Sequence, residues 1–242
     1  MRKSVAAAAM IAASVAASAC GRSHEADGGA TGSRTYQVGN FQAIEVAGPY
    51  QVDVRTGGNP GVSAQGSERL LERTIVEVRG DKLVIRPEQH GWFNFGWSRN
   101  GRAKFTVTVP QLSGATIAGS GDINVDKVQG KRFEGNVAGS GGLNVANIDV
   151  DSLKLSIAGS GGVKAGTGKA QSAEYEIAGS GDVDAGAIQV QQAKVSIAGS
   201  GGVHAHATGT ADVSIMGSGD VDVSGGAKCN ITKAGSGNVR CS

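Results

Sequence analysis

Seven serines are of a type that could do chemistry, and their spacing is the first regularity in the chain. Ser120, Ser140, Ser160, Ser180, Ser200, Ser218 and Ser236 each stand between two glycines. A serine nucleophile needs a base within hydrogen-bond reach and donors aimed at the developing oxyanion. Seven equivalent copies with no positioned base argue instead for a structural turn, in which stacked hydroxyls each donate to the next and accept from the last. Asp122, Asp182 and Asp220 share one position two residues after such serines. Paired carboxylates cleave glycosidic bonds, but the nearest two lie two repeats apart, ~10 Å by strand spacing, and nothing else gathers with them. The same aspartates resemble calcium-binding nonapeptide repeats, yet the period differs and most repeats carry glycine there. His204 and His206, beside Asp184 and Asp222, have the i, i+2 spacing of a zinc pair on a strand. Solvated surface histidines are the plainer reading, and neither a metal nor a cofactor is expected. Ice binding would need regular threonine rows, and the outward positions here are mixed and charged.

Three cysteines remain, an odd number for an exported chain. Residues 1–19 read as a lipoprotein-type signal peptide: Arg2 and Lys3, then an alanine-rich apolar stretch too short to span a bilayer, then Ala17-Ser18-Ala19-Cys20. Cys20 is the expected lipidation site, and ordinary cleavage after Ala19 is the other reading. Gly21 after the cysteine, rather than aspartate, favours the outer membrane by analogy with Gram-negative lipoproteins. If Cys20 carries lipid, Cys229 and Cys241 are left as a disulfide pair. Removing residues 1–19 takes away Arg2 and Lys3, so the 23 basic residues fall to 21 against 21 acidic ones. That balance gives no footprint for nucleic acid. Residues 20–33, rich in Gly, Ala, Ser and charge, read as a flexible tether.

The element that must position all of these is a repeat. The first glycines of the turns (Gly119, Gly139, Gly159, Gly179, Gly199, Gly217, Gly235) lie 20, 20, 20, 20, 18 and 18 residues apart. Even offsets from them are apolar: Ile117, Val137, Ile157, Ile177, Ile197 and Ile215 two before, and Ile123, Leu143, Val163, Val183, Val203, Val221 and Val239 four after. This is the period of strands with one face buried. Odd offsets alternate in charge from repeat to repeat, as in Glu134, Lys154, Glu174, Lys194 and Asp212. Parallel strands stacked in register bring such residues within ~5 Å, where opposite charges attract and like charges repel. The expected fold is all-β, a right-handed parallel β-helix or β-solenoid with coils of about 20 residues. Cys229 and Cys241 fall six before and six after Gly235, both inward in the last coil, where a disulfide would staple an end that no further coil protects.

Residues 111–242 form this regular part, and residues 34–110 an irregular N-terminal part of the same solenoid. There Gln42–Val46, Ala47–Tyr50 and Gln51–Val54 repeat the strand–turn–strand shape of Gly114–Val125, as a degenerate early coil. Ser67–Arg73 could form a short helical turn. Ile75–Arg79 and Lys82–Arg86 flank a tight turn at Gly80-Asp81, and Lys104–Val109 is a final alternating strand. The insertion 91–101 gathers Trp92, Phe93, Phe95 and Trp97, while the whole chain has 2 Trp and 5 Phe. Exposed aromatics mark partner contacts, so these four are the candidate partner-binding residues. The bland alternative is a loop that folds over an open edge.

Phe41-x-x-Ile44-x-Val46-x-Gly48, Gly80–Ile85, the strand ending Val109-Pro110-x-Leu112 and the Gly-Ser-Gly turns together resemble one bacterial family of exported domains, the auto-transporter adhesin, head GIN domain family. The resemblance covers residues 36–240. It implies a β-solenoid on the cell envelope and brings no catalytic residues. The expected function is therefore that of a non-enzymatic cell-envelope lipoprotein, an adhesin-like binding or structural module. Its expected partners are the membrane, through the lipid, and an envelope protein or surface glycan. The alternatives are a periplasmic envelope stress or assembly factor and a glycan-active β-helix enzyme.

Overall fold

The computed structural model describes residues 31–88 and 103–242. Along the chain run β1 (Thr31–Tyr36), β2 (Ala43–Ala47), β3 (Gln51–Thr56), β4 (Gly61–Ser67), α1 (Glu68–Glu72), β5 (Thr74–Arg79), β6 (Lys82–Pro87) and β7 (Ala103–Val109). The repeat follows as β8 (Gly114–Gly119), β9 (Asp122–Val125), β10 (Val128–Gly139), β11 (Gly142–Gly159), β12 (Gly162–Gly179), β13 (Asp182–Gly199) and β14 (Gly202–Gly217). It ends in β15 (Asp220–Ser224), β16 (Lys228–Ala234) and β17 (Val239–Cys241).

This is a parallel β-solenoid with coils about 20 residues apart, because alternating Val, Ile and Leu can bury their inward face only against the next coil. The register is that of the repeat: Glu134 pairs with Lys154, Lys154 with Glu174, Glu174 with Lys194 and Lys194 with Asp212. The early coil is also as expected, with β2 on β8 (Ala43 opposite Gly114) and β3 on β9 (Gln51 opposite Asp122). One apolar core runs the length of the stack, from Phe41 to Val223.

Each coil has a third side that the sequence columns did not reveal. Between β10, β11, β12 and β13 the pairing runs Val128–Ile148–Gly168–Ile188 in unbroken register, with unpaired positions flanking it near residues 146 and 151. Val128, Ile148 and Ile188 are buried there, as are Val150, Ala170 and Val190.

The lower end departs most from expectation. β6 and β7 form a further coil beneath β2 and β3, with Ala43 opposite Lys82 and Gln51 opposite Lys104, both parallel. Antiparallel strands then close that end: β5 pairs with β6 across the Gly80-Asp81 turn, β4 with β7, and β1 with β4. β1 begins at Thr31, inside the stretch read as a tether over 20–33, because Thr31–Tyr36 lies along Val62–Ser67. Leu71 of α1 is buried against the same end. Tyr50 meets Phe105 edge-on at 5.4 Å and shares a 3.0 Å hydrogen bond with Thr74.

Candidate functional site

The Gly-Ser-Gly turn is the corner at which each coil bends from one side to the next. From Ser140 onward every corner serine N–H donates to the carbonyl of the first glycine one coil back, at 2.9–3.0 Å. The third residue often shares that acceptor, as Gly161 N–H does with the Gly139 carbonyl at 3.0 Å. A Cβ on Gly139 would overlap the Gly119 carbonyl oxygen, and one on Gly141 that of Gly121. The corner is therefore backbone stacked on backbone. The expected hydroxyl ladder does not form: the seven serines are exposed and their hydroxyls make no hydrogen bond. The coils are joined at the corner by backbone N–H groups instead. The double replacement Ser160→Ala/Ser180→Ala is expected to change unfolding stability by less than about 0.5 kcal/mol. A thermal melt checks it.

The aspartates are committed to backbone one coil up. Asp122 Oδ1 accepts the N–H of Gly142 at 2.9 Å, Asp182 Oδ1 that of Gly202 at 2.9 Å, and Asp220 Oδ1 that of Asn238 at 2.8 Å. A Cβ on Gly202 would come within 2.8 Å of the Asp182 carboxylate, whereas Asn238 keeps its side chain above Asp220 and donates its amide to the same oxygen at 3.1 Å. These carboxylates cap backbone across coils and face no partner carboxylate.

His204 stands between Asp184 and Asp222 in the stack. His206 is not its companion. The 18-residue coil drops two residues here, so pairing jumps from Ala185–Ala205 to Gln189–His206. His206 Nδ1 then lies 3.0 Å from Ser224 Oγ, and the Ser224 hydroxyl donates to the Ala205 carbonyl at 3.3 Å. Among the described residues, no group of three or more His, Cys, Asp and Glu is placed to hold a metal.

The outward charge columns pair as the alternation requires. Glu174 accepts from Lys154 at 3.1 Å and from Lys194 at 2.9 Å, and Lys154 also reaches Glu176 at 3.0 Å. Hydrogen bonds from Lys194 and then Lys154 hold the Glu174 carboxyl below its ordinary value. A carboxylate depressed in the folded state stabilises above its unfolded pKa and loses that contribution as pH falls through the folded value. Acidification below about pH 4 should thus destabilise the wild type more than Glu174→Gln, by less than about 1 kcal/mol for so exposed a network. Urea midpoints at pH 7 and pH 3 measure it.

Beside the charge columns runs a shallow open trough of about 500 Å³. Ala138, Ala158, Ala178 and Ala198 form its floor, Ser156 and Ser196 one margin, and Met216, 71% exposed, one end. Sequence reading by charge and apolarity passed over this column because alanine fits either face. Its signal is the alanine that precedes every corner but one, where Met216 stands.

Cys20 and the aromatic residues Trp92, Phe93, Phe95 and Trp97 lie outside the described residues. β6 ends at Pro87 and β7 begins at Ala103, so the aromatic residues fall in the stretch of sequence between these two strands. At the other end Cys229 and Cys241 are bonded, joining β16 to β17.

Fold and surface together define a class: a β-solenoid on one continuous apolar core, whose aspartates and outward charge columns are spent on holding coils in register. The chain belongs to the family described as "Putative auto-transporter adhesin, head GIN domain", whose model matches residues 40–227. Among solved structures it is similar to a putative adhesin from Bacteroides fragilis, at 22% identity and TM-score 0.79, covering 88% of this chain and 97% of that one. It is also similar to a protein from Parabacteroides distasonis described as a putative lipid binding protein, at 26% identity and TM-score 0.68, covering 89% and 98%. A putative adhesin from Parabacteroides merdae matches at 19% identity and TM-score 0.69, covering 88% and 96%. No curated protein matches the chain.

Proposed function

We propose that this protein is a non-enzymatic, lipid-anchored module of the cell envelope that binds its partner as an adhesin does, through exposed surface and not in a cleft. The observation that carries this reading is how the candidate catalytic groups are used. The aspartates accept backbone N–H groups, Ser224 is tied to His206 and to the Ala205 carbonyl, and the corner serines stand in the open without a base. Neighbours described as adhesins and as a lipid binding protein support a binding role. The surface assigned to recognition is the aromatic segment Trp92–Trp97, because it gathers both tryptophans of the chain and two of its five phenylalanines within six residues. An envelope protein or a surface glycan is the partner, and the membrane is engaged through lipid on Cys20 in the outer membrane.

Replacing Cys20 with serine is expected to move the protein from the membrane fraction to the soluble envelope fraction. Retention in the membrane would overturn the anchor. Crosslinking and pull-down from intact cells then compares wild type with Trp92→Ala/Trp97→Ala. Loss of the captured partner supports the aromatic surface, and unchanged capture removes it. Protease shaving separates an adhesin from a periplasmic assembly factor, since only a surface-exposed chain is cut.

A further inference from the structure

We infer that the last coil is a thiol-sensitive cap: reduction of Cys229–Cys241 frees residues 228–242 and opens the apolar end of the solenoid to the same segment of a second copy. This goes beyond the binding role above and does not depend on it. β16 and β17 each pair on one side only, with β14 and β15. Beneath them Val213, Ile215, Val221 and Val223 are buried. The capping coil buries less than the coils below: Ala227, Cys229 and Val239 are only partly buried against the core, Ile231 is 50% exposed, and Lys233 sits in the column that holds isoleucine or valine below. Its remaining ties are the two backbone ladders, the Ser236 N–H on the Gly217 carbonyl at 3.0 Å, and side-chain bonds such as Lys233 Nζ to the Gly237 carbonyl at 2.7 Å and Asn230 to Asp212 at 2.8 Å. The disulfide, across a sequence separation of 12, is the one covalent cross-link between its two strands beyond the main-chain turn of residues 235–238.

Cys241 is exposed and Cys229 half-buried, so a reductant reaches the bond from outside. A thiolate of a dithiol donor attacks Cys241 Sγ, and Cys229 leaves as thiolate. The donor's second thiol then displaces Cys241 and closes the donor disulfide. Two electrons and two protons pass to the cysteines, and the donor is oxidised. Losing a cross-link over a loop of this length raises the open population about a hundredfold. Opening leaves a free parallel edge backed by an apolar row, which residues 228–242 of another copy fit as those of the first did. While the cap is closed, the exposed charge of Lys233 opposes stacking of a second molecule on the end.

The test uses the full chain carrying Cys20→Ser, so that Cys229 and Cys241 are its only cysteines. Hydrogen exchange and light scattering are measured with and without dithiothreitol, and on Cys229→Ser/Cys241→Ser without it. The expected result is a loss of protection of about a hundredfold over 228–241, none over 154–199, and a shift of mass from monomer to dimer in both reduced protein and variant. Unchanged protection overturns the cap. Loss of protection with the mass still monomeric overturns exchange between copies. Unaltered protection over 154–199 shows that the stack has stayed folded.

Discussion

Changing Gly159 to alanine is expected to destabilise the solenoid by about 3 kcal/mol, more than any surface substitution on the same coil. Two costs add. Gly159 has φ +130°, a conformation L side chains rarely adopt, and its Cβ would strike the Gly139 carbonyl oxygen that accepts the corner hydrogen bonds. Neither neighbour can retreat, because each is backbone held by the coil beyond. Gly162, three residues on, is the control: a Cβ there meets nothing closer than the Asp182 carbonyl oxygen at 3.9 Å. Gly162→Ala should be neutral or slightly stabilising, since it only restricts the unfolded chain. Denaturant midpoints of the two variants decide the matter, and equal effects would refute backbone stacking at the corner. Coils in a solenoid couple mainly to their neighbours, so exchange protection should fall most around residues 139–181.

The second large effect lies in the core. Tyr175→Ala should cost about 3–5 kcal/mol, and Tyr175→Phe should stabilise by about 1 kcal/mol. Tyr175 is fully buried and its hydroxyl has no hydrogen-bond partner. The ring is there for volume. Its coil turns Ala165, Gly168, Ala170 and Ala173 along positions where the coil below has Val145, Ile148, Val150 and Leu153, and one large side chain fills what four small ones leave. Burial pushes the Tyr175 phenol above its ordinary value. The neutral form is thus favoured on folding, so its contribution is intact below about pH 10 and is lost as pH rises towards the folded value. Alkaline unfolding should therefore begin at lower pH in wild type than in Tyr175→Phe. Coincident alkaline transitions would show that the phenol is not sealed in the core.

The register of this fold was legible in the sequence because charge and apolarity repeat at a fixed step. Lys154, Glu174 and Lys194 announce their own stacking, and the symmetric placement of Cys229 and Cys241 about Gly235 announces their bond, although Cys241 is exposed where an inward side chain was expected. The third side was not legible: Gly168 interrupts its apolar column, and the 18-residue coil shifts the phase at His206. Ile148 and Ile188, two full periods apart, were the signal left in the chain. The lower end was illegible for another reason. Pairing Ala43 with Lys82 and Gln51 with Lys104 joins segments with no shared pattern, and the local turn at Gly80-Asp81 suggested only a hairpin. Of the candidate site, the aspartates' true partners lie one coil up, and only the stacked backbone supplies them.

The order of layers at the lower end has a consequence for how the molecule is made. The coil of β2 and β3 lies between β6–β7 on one side and β8–β9 on the other, so its neighbours arrive late in synthesis. A chain emerging N-terminus first cannot complete its founding layers until residues near 125 are available, and the loops it must close before then are long and slow to close. Every later coil finds a finished template and makes contacts only about 20 residues away. Assembly is thus a slow start followed by rapid one-directional growth, like a crystal that lengthens from a seed.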